Sequence, residues 1–168
     1  MSRSNPRKKK PRSTRATAQI VVEGFTEEAF CKYLKSLYAR ACGIRVEIHN
    51  ARGGSPTDSV RSALKRTGFD RTFLLYDTDV ALPQGWAAKS RAAKQIAMTS
   101  TPCIEALFLE LLSEPVPATS STCKKAFSRH LSDREKYLPK SFAKIFSEEF
   151  LTQSNHPSLI LLRSAFGR

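Results

Sequence analysis

The sequence predicts an α/β protein built on an open, mostly parallel sheet of about four strands, with helices on both faces. Three observations predict it. Short apolar runs of strand length alternate with helix-period segments across residues 18–112, the pattern of strands joined by helical crossovers. The 168 residues are 40% hydrophobic, enough for one domain with a real core and no disulfide staples. Beyond residue 112 the strand signals fade and helical patches take over, so a mainly helical C-terminal extension is expected.

The elements follow in order. AQIVVEG, residues 18–24, is an apolar run that stops at an acid and a glycine, as a buried strand would. A helix follows from Thr26 to about Ala41, with Phe30, Tyr33, Leu34, Leu37 and Tyr38 spaced by three and four. Thr26 is its expected cap, and Glu27 and Glu28 suit its first turn. Residues 44–51 alternate Ile44, Val46 and Ile48 with Arg45, Glu47 and His49, a strand with one wetter face that belongs near a sheet edge. Ser55 and Pro56 open a second helix running to about Thr67, and Gly68 can end it. Residues 71–77 form a third strand, ending in Asp77-Thr78-Asp79. Trp86 to Ala97 has a basic helical pattern, and IAMTS, residues 96–100, is either its end or a short fourth strand. The strongest helix is 101–112, apolar nearly all round. Helical patches at 122–131 and 140–152 and the apolar stretch SLILLRSAF complete the chain, the last readable as strand or helix.

Charge narrows the partners. Lys plus Arg number 28 against 15 acids, a formal charge of +13, and such an excess favours a polyanion, usually nucleic acid. Residues 1–17 read as a disordered basic arm. It carries Lys8, Lys9, Lys10 and Arg12 and is either a phosphate-binding tail or a solubilising one. Lys89 and Arg91 are further candidate phosphate contacts. So is the Arg52-Gly53-Gly54 loop, where glycine permits close backbone approach to a phosphate, although a plain tight turn explains it as well. The four cysteines have no CxxC or zinc-finger spacing and read as reduced thiols of a cytoplasmic protein. No apolar run reaches the length of a membrane span, and no apolar segment follows the basic N-terminus as in a secretory signal.

The carboxylates carry the chemistry. Sites on open parallel sheets form outside the carboxyl ends of strands. Glu23 ends the first strand and Asp77 the third, and Asp79 faces the same side while the chain stays extended. Acids crowded at one rim repel one another, and a divalent ion such as Mg²⁺ or Mn²⁺, bound through hard oxygen ligands, relieves that repulsion. Asp-x-Asp after a strand also serves as a plain turn or helix cap. Glu105, in the first turn of the 101–112 helix, is either a fourth acid at the rim or an exposed acid complementing the helix dipole.

Taken together, these motifs resemble the Toprim superfamily, a Rossmann-like fold. IVVEGFTEEAF looks like its strand–Glu-Gly–helix opening and YDTD like its Asp-x-Asp motif. Within it the chain is similar to the RloB-like group, found near bacterial restriction and antiphage loci. That group shows an EG-x-T-E opening, as in Glu23, Gly24, Thr26 and Glu27, and a Ser-Asn-Pro-Cys-Phe-Glu type motif. The latter stands here as Ser100, Thr101, Pro102, Cys103, Ile104 and Glu105. The likeness covers about residues 18–112. Thr101 and Ile104 depart from the usual Asn and aromatic, and Phe25 stands where Lys or Glu is frequent, but no expected acid is missing.

The resemblance implies a Mg²⁺-dependent nuclease acting on DNA or RNA in antiphage defence, with an ATPase or restriction-system protein as its candidate partner. Glu23 would be the acid/base and a metal ligand, Asp77 and Asp79 would hold the metal, and Glu105 would be a further ligand or positioning acid. Two alternatives stay open. One is a non-catalytic nucleic-acid-binding or regulatory subunit. The other is a haloacid-dehalogenase-type phosphatase with Asp77 as nucleophile, which lacks an obvious later acid pair except Glu148-Glu149.

Overall fold

A computed structural model describes residues 15–39, 43–52 and 54–168. Four strands form one sheet: β1 (Thr17–Val22), β2 (Arg45–Asn50), β3 (Arg71–Asp77) and β4 (Ile96–Ser100). All neighbours pair in parallel, in the order β2-β1-β3-β4. The helices between them are α1 (Phe25–Tyr38), α2 (Pro56–Lys65) and α3 (Gln84–Ala92). After β4 come α4 (Ile104–Leu111), α5 (Ser120–Phe127), two 3₁₀ turns at Glu135–Tyr137 and Pro139–Lys144, α6 (Glu148–Gln153) and α7 (Pro157–Ser164).

The strands sort their side chains by the two-residue period. Ile20, Val22, Phe73 and Leu75 enter a large core with α1, α4 and the C-terminal helices. Val21, Leu74 and Tyr76 enter a smaller one with Val60 and Ala63 of α2 and half-buried Trp86 of α3. Helices therefore cover both faces. The larger core is aromatic at its centre. Phe142 lies 5.2 Å from Phe30 and 5.3 Å from Phe108, and Phe127 lies 5.0 Å from Phe108. These rings bind residues 113–168 into the same core as α1 and α4. Deleting one by Phe→Ala costs about 3–5 kcal/mol at such positions.

Four local expectations are changed or settled. The cap of α1 is Gly24, extended at φ −128°, and Thr26 lies buried inside the first turn; the helix starts as soon as the chain leaves the sheet. The basic helix stops at Ala92, because Lys94 turns the chain at φ 53°. IAMTS then pairs with β3 from Phe73↔Ile96 to Asp77↔Ser100 and becomes the edge strand β4. The 140–152 patch is a 3₁₀ turn followed by α6, which Ser147 caps by accepting from Phe150 N–H. SLILLRSAF is mainly helix, opened by Pro157 in the first turn of α7. The other edge is β2, as its alternating polar face predicts. Ser55 caps α2, accepting from Asp58 N–H.

Candidate active site

The strand order decides where a site can form. The chain passes from β1 outward to β2, then crosses back over β1 to β3. The topological switch point therefore lies between β1 and β3, and in open α/β sheets the crevice beyond the carboxyl ends at that point is the ligand-binding place. Glu23 follows β1 and Asp77 ends β3. They meet there: Asp77 N–H donates to Glu23 Oε2 at 3.4 Å.

A cavity of about 270 Å³ opens at this crevice, lined by Glu23, Gly24, Glu27, Gly54, Asp77 and Glu105, with Phe25, Thr26, Lys124, Lys136 and Tyr137 around them. Asp77 shares its strand face with Phe73 and Leu75, which turns it toward α1 and α4. Those helices deliver Glu27 and Glu105 from their first turns. All three acids are buried: Asp77 is 8% exposed, Glu27 5% and Glu105 2%. Asp77 Oδ1 and Glu105 Oε2 have no hydrogen-bond partner. Buried polar atoms are almost always paired, so these two oxygens are free to accept from a bound water or to ligate an ion.

The electrostatics follow from that crowding. Burial, and then the charges of Glu27, Glu105, Glu23 and Asp79, push the Asp77 carboxyl up to about 8. Burial raises Glu27 to about 7 against a hydrogen bond from its own backbone N–H, with Glu105 and Glu23 adding to the rise. Glu23 is raised by burial, partly offset by the Asp77 N–H. Lys124 from α5 faces the acids. Partial burial pulls its pKa down, but Glu105, Cys103, Asp77 and Asp79 outweigh this and raise it. Four carboxylates with two unpartnered oxygens make a hard-oxygen donor set of the kind a divalent cation neutralises. Among the described residues, no group of three or more His, Cys, Asp or Glu side chains is placed so that it could hold a metal ion. Glu23, Glu27, Asp77 and Glu105 share one cavity lining without forming such a group.

The expected site residues divide. Glu23, Asp77, Glu105 and Gly54 come together in the cavity. Gly54 holds φ 64°, a left-handed conformation that favours glycine. Glu105 is a buried rim acid, not an exposed dipole partner. Asp79 is exposed and outside the lining; its Oδ2 accepts from Ser120 Oγ at 2.6 Å. The chain leaves the sheet at Asp77, so the strand's two-residue period no longer aims Asp79. Arg52 turns at φ 53° with its N–H donating to Asn50 Oδ1, and it borders a neighbouring depression with Glu28 and His49. Lys89 sits over the Trp86 ring at 4.3 Å, and neither it nor Arg91 lines the cavity, because α3 packs on the α2 side of the sheet. Lys8, Lys9, Lys10, Arg12 and Gly53 lie outside the described residues.

Glu27, part of the Glu-Gly-x-Thr-Glu opening but expected only as a first-turn acid, joins the site. A Cβ on Gly24 would come within 2.8 Å of Glu27 Oε2, so the glycine leaves room for that carboxylate. Lys124, Lys136 and Tyr137 come from residues 113–168, where no motif announced them. Comparison of the chain with family models, curated proteins and solved structures finds no match.

Proposed function

We propose that this chain is a Mg²⁺-dependent phosphodiester hydrolase acting on nucleic acid, a nuclease of the Toprim type similar to the RloB-like group. The observation that carries this is the convergence of Glu23, Glu27, Asp77 and Glu105 on the β1/β3 switch point, with unpartnered oxygens on Asp77 and Glu105 and lysines opposite. Asp77 and Glu105 would hold Mg²⁺ or Mn²⁺, with Glu23 and Glu27 beside them. When bound, the ion polarises a phosphoryl oxygen and prepares a water for attack. Glu23 is the acid/base: it is the least buried of the four, and burial already lifts its affinity for a proton. The Asp77 N–H fixes one of its oxygens. Lys124 and Lys136 bind the phosphate oxygens, offsetting the negative charge of the floor. Asp79, bonded to Ser120, adds charge from outside the cavity and ties the Asp-x-Asp turn to α5.

By the same resemblance, the setting is cytoplasmic antiphage defence, with an ATPase or restriction-system protein as candidate partner. No described helix is long and apolar enough to cross a membrane. The phosphatase alternative loses its acid pair, since Glu148 and Glu149 are exposed on α6 and do not line the cavity.

The test is a panel of labelled single- and double-stranded DNA and RNA, incubated with Mg²⁺, Mn²⁺ or EDTA. Cleavage is expected with metal and should vanish in EDTA and in Glu23→Ala and Asp77→Ala, while binding survives. Activity retained in both variants would overturn the assignment. Binding without cleavage in the wild type would make the chain a non-catalytic nucleic-acid-binding subunit.

A further inference from the structure

The cavity has a feature that hydrolysis alone does not use. Phe25 is 57% exposed and Tyr137 50% exposed, both line its mouth, and their rings stand edge to face with centroids 6.1 Å apart. Phe25 follows Gly24 directly, and Tyr137 ends a 3₁₀ turn of the C-terminal extension. Neither belongs to either hydrophobic core. Large exposed aromatics that close no core mark an interaction site when polar groups surround them. Here those groups are cationic. Lys136 Nζ lies 5.4 Å from the Tyr137 ring centroid and 2.8 Å from Asp133 Oδ1, and Lys124 lines the same cavity.

We infer that Phe25 and Tyr137 form a stacking platform for an unpaired nucleobase, and that the substrate is single-stranded or locally unpaired nucleic acid; this rests on the phosphodiesterase reading above. Size is the first reason. A cavity of about 270 Å³ falls just below the ~300–1,000 Å³ range of pockets that engulf a small ligand. It suits a phosphate and an ion, and leaves the attached base outside. The base then lies at the mouth, against the two rings. Charge is the second reason: lysines beside aromatic faces match a phosphate joined to a flat π-system, as in single-strand binding grooves. A duplex keeps its bases stacked inside, so only an unpaired nucleotide can reach the platform.

The experiment measures binding in EDTA, so that no strand is cut, using fluorescent RNA and DNA single strands and the duplexes made from them. Wild type is expected to prefer single strands. Phe25→Ala and Tyr137→Ala should each weaken single-strand binding roughly 5- to 150-fold, the range of one lost base–aromatic stack. Duplex affinity should be unchanged, and so should the salt dependence. Tyr137→Phe should retain binding, and Phe150→Ala, an exposed aromatic outside the cavity lining, should match wild type. Equal loss on duplex and single strand, or no loss in either alanine variant, would overturn the platform, as would aromatic variants that lose only a co-purifying protein partner. If the platform fails while wild type still cleaves with Mg²⁺, the hydrolase assignment stands. If single strands bind through the rings but no metal yields cleavage, the platform stands and the hydrolase assignment falls.

Discussion

The two ends of β1 and β3 treat a carboxylate in opposite ways. At the amino ends, Asp70 Oδ2 accepts from Thr17 N–H at 2.7 Å and from Thr17 Oγ1 at 2.9 Å. Those bonds hold its carboxyl below the usual range, and it is exposed to water. At the carboxyl ends, Asp77 is buried among acids, pushed up to about 8, with one oxygen unpartnered. The first carboxylate pins two strands together. The second is disfavoured as a carboxylate by burial and by its acidic neighbours, which makes it a candidate functional group. The comparison therefore separates an acid that serves the fold from acids that packing alone does not explain, the ones proposed to hold a cation.

The largest effect should come from removing the proposed acid/base. Glu23→Ala is expected to cut metal-dependent cleavage about 10²–10⁴-fold with little change in Tm, measured under single-turnover conditions. Next is the support of the acid end. Phe142 packs against both Phe30 and Phe108, and Phe142→Ala should destabilise the protein by about 3–5 kcal/mol in urea unfolding.

A third prediction sets the two ends against each other with pH. The raised carboxyls, Asp77 near 8 and Glu27 near 7, favour folding while protonated. Their contribution is complete below the unfolded value of about 4 and is lost as pH rises through 7 to 8. Asp70 has the reverse sign: its contribution is present above about 4 and lost as pH falls through its lowered folded value. In EDTA, Tm should therefore decline between about pH 5 and about pH 8.5, and Asp77→Asn should flatten the decline. At the upper end Asp77→Asn should exceed wild type by at least about 3 °C, whereas Asp70→Asn should lower Tm throughout that range. An Asp77→Asn variant less stable than wild type at high pH would mean that its carboxylate serves the fold after all. The smallest effect should be that of Gly24→Ala. Its Cβ would displace the Glu27 carboxylate, so cleavage should fall several-fold while Tm hardly moves.

Much of this was legible in sequence because strands announce themselves by apolar runs and place their last residues at one rim. Glu23 and Asp77 follow from that alone. The fate of Asp79 does not, because the two-residue period ends where the strand ends, and a hydrogen bond to Ser120 decides its direction. IAMTS was ambiguous because a five-residue apolar stretch has too few positions to show a period; pairing with β3 settles it. Glu27 stood in the Glu-Gly-x-Thr-Glu opening, but a sufficient local explanation, a first-turn acid facing the helix dipole, kept it off the list of site residues. Lys124, Lys136 and Tyr137 were hidden because they reach the site through the aromatic packing of the C-terminal extension, a tertiary fact that no local pattern encodes.

The most direct measurement of the central claim is a calorimetric titration of Mg²⁺ into the wild-type chain and into Asp77→Asn, both shown to be folded by circular dichroism. Binding is predicted in the wild type and loss of that binding in Asp77→Asn. Equal binding by the two proteins, or none by the wild type, would contradict the claim that the carboxylates at the β1/β3 switch point form a cation site.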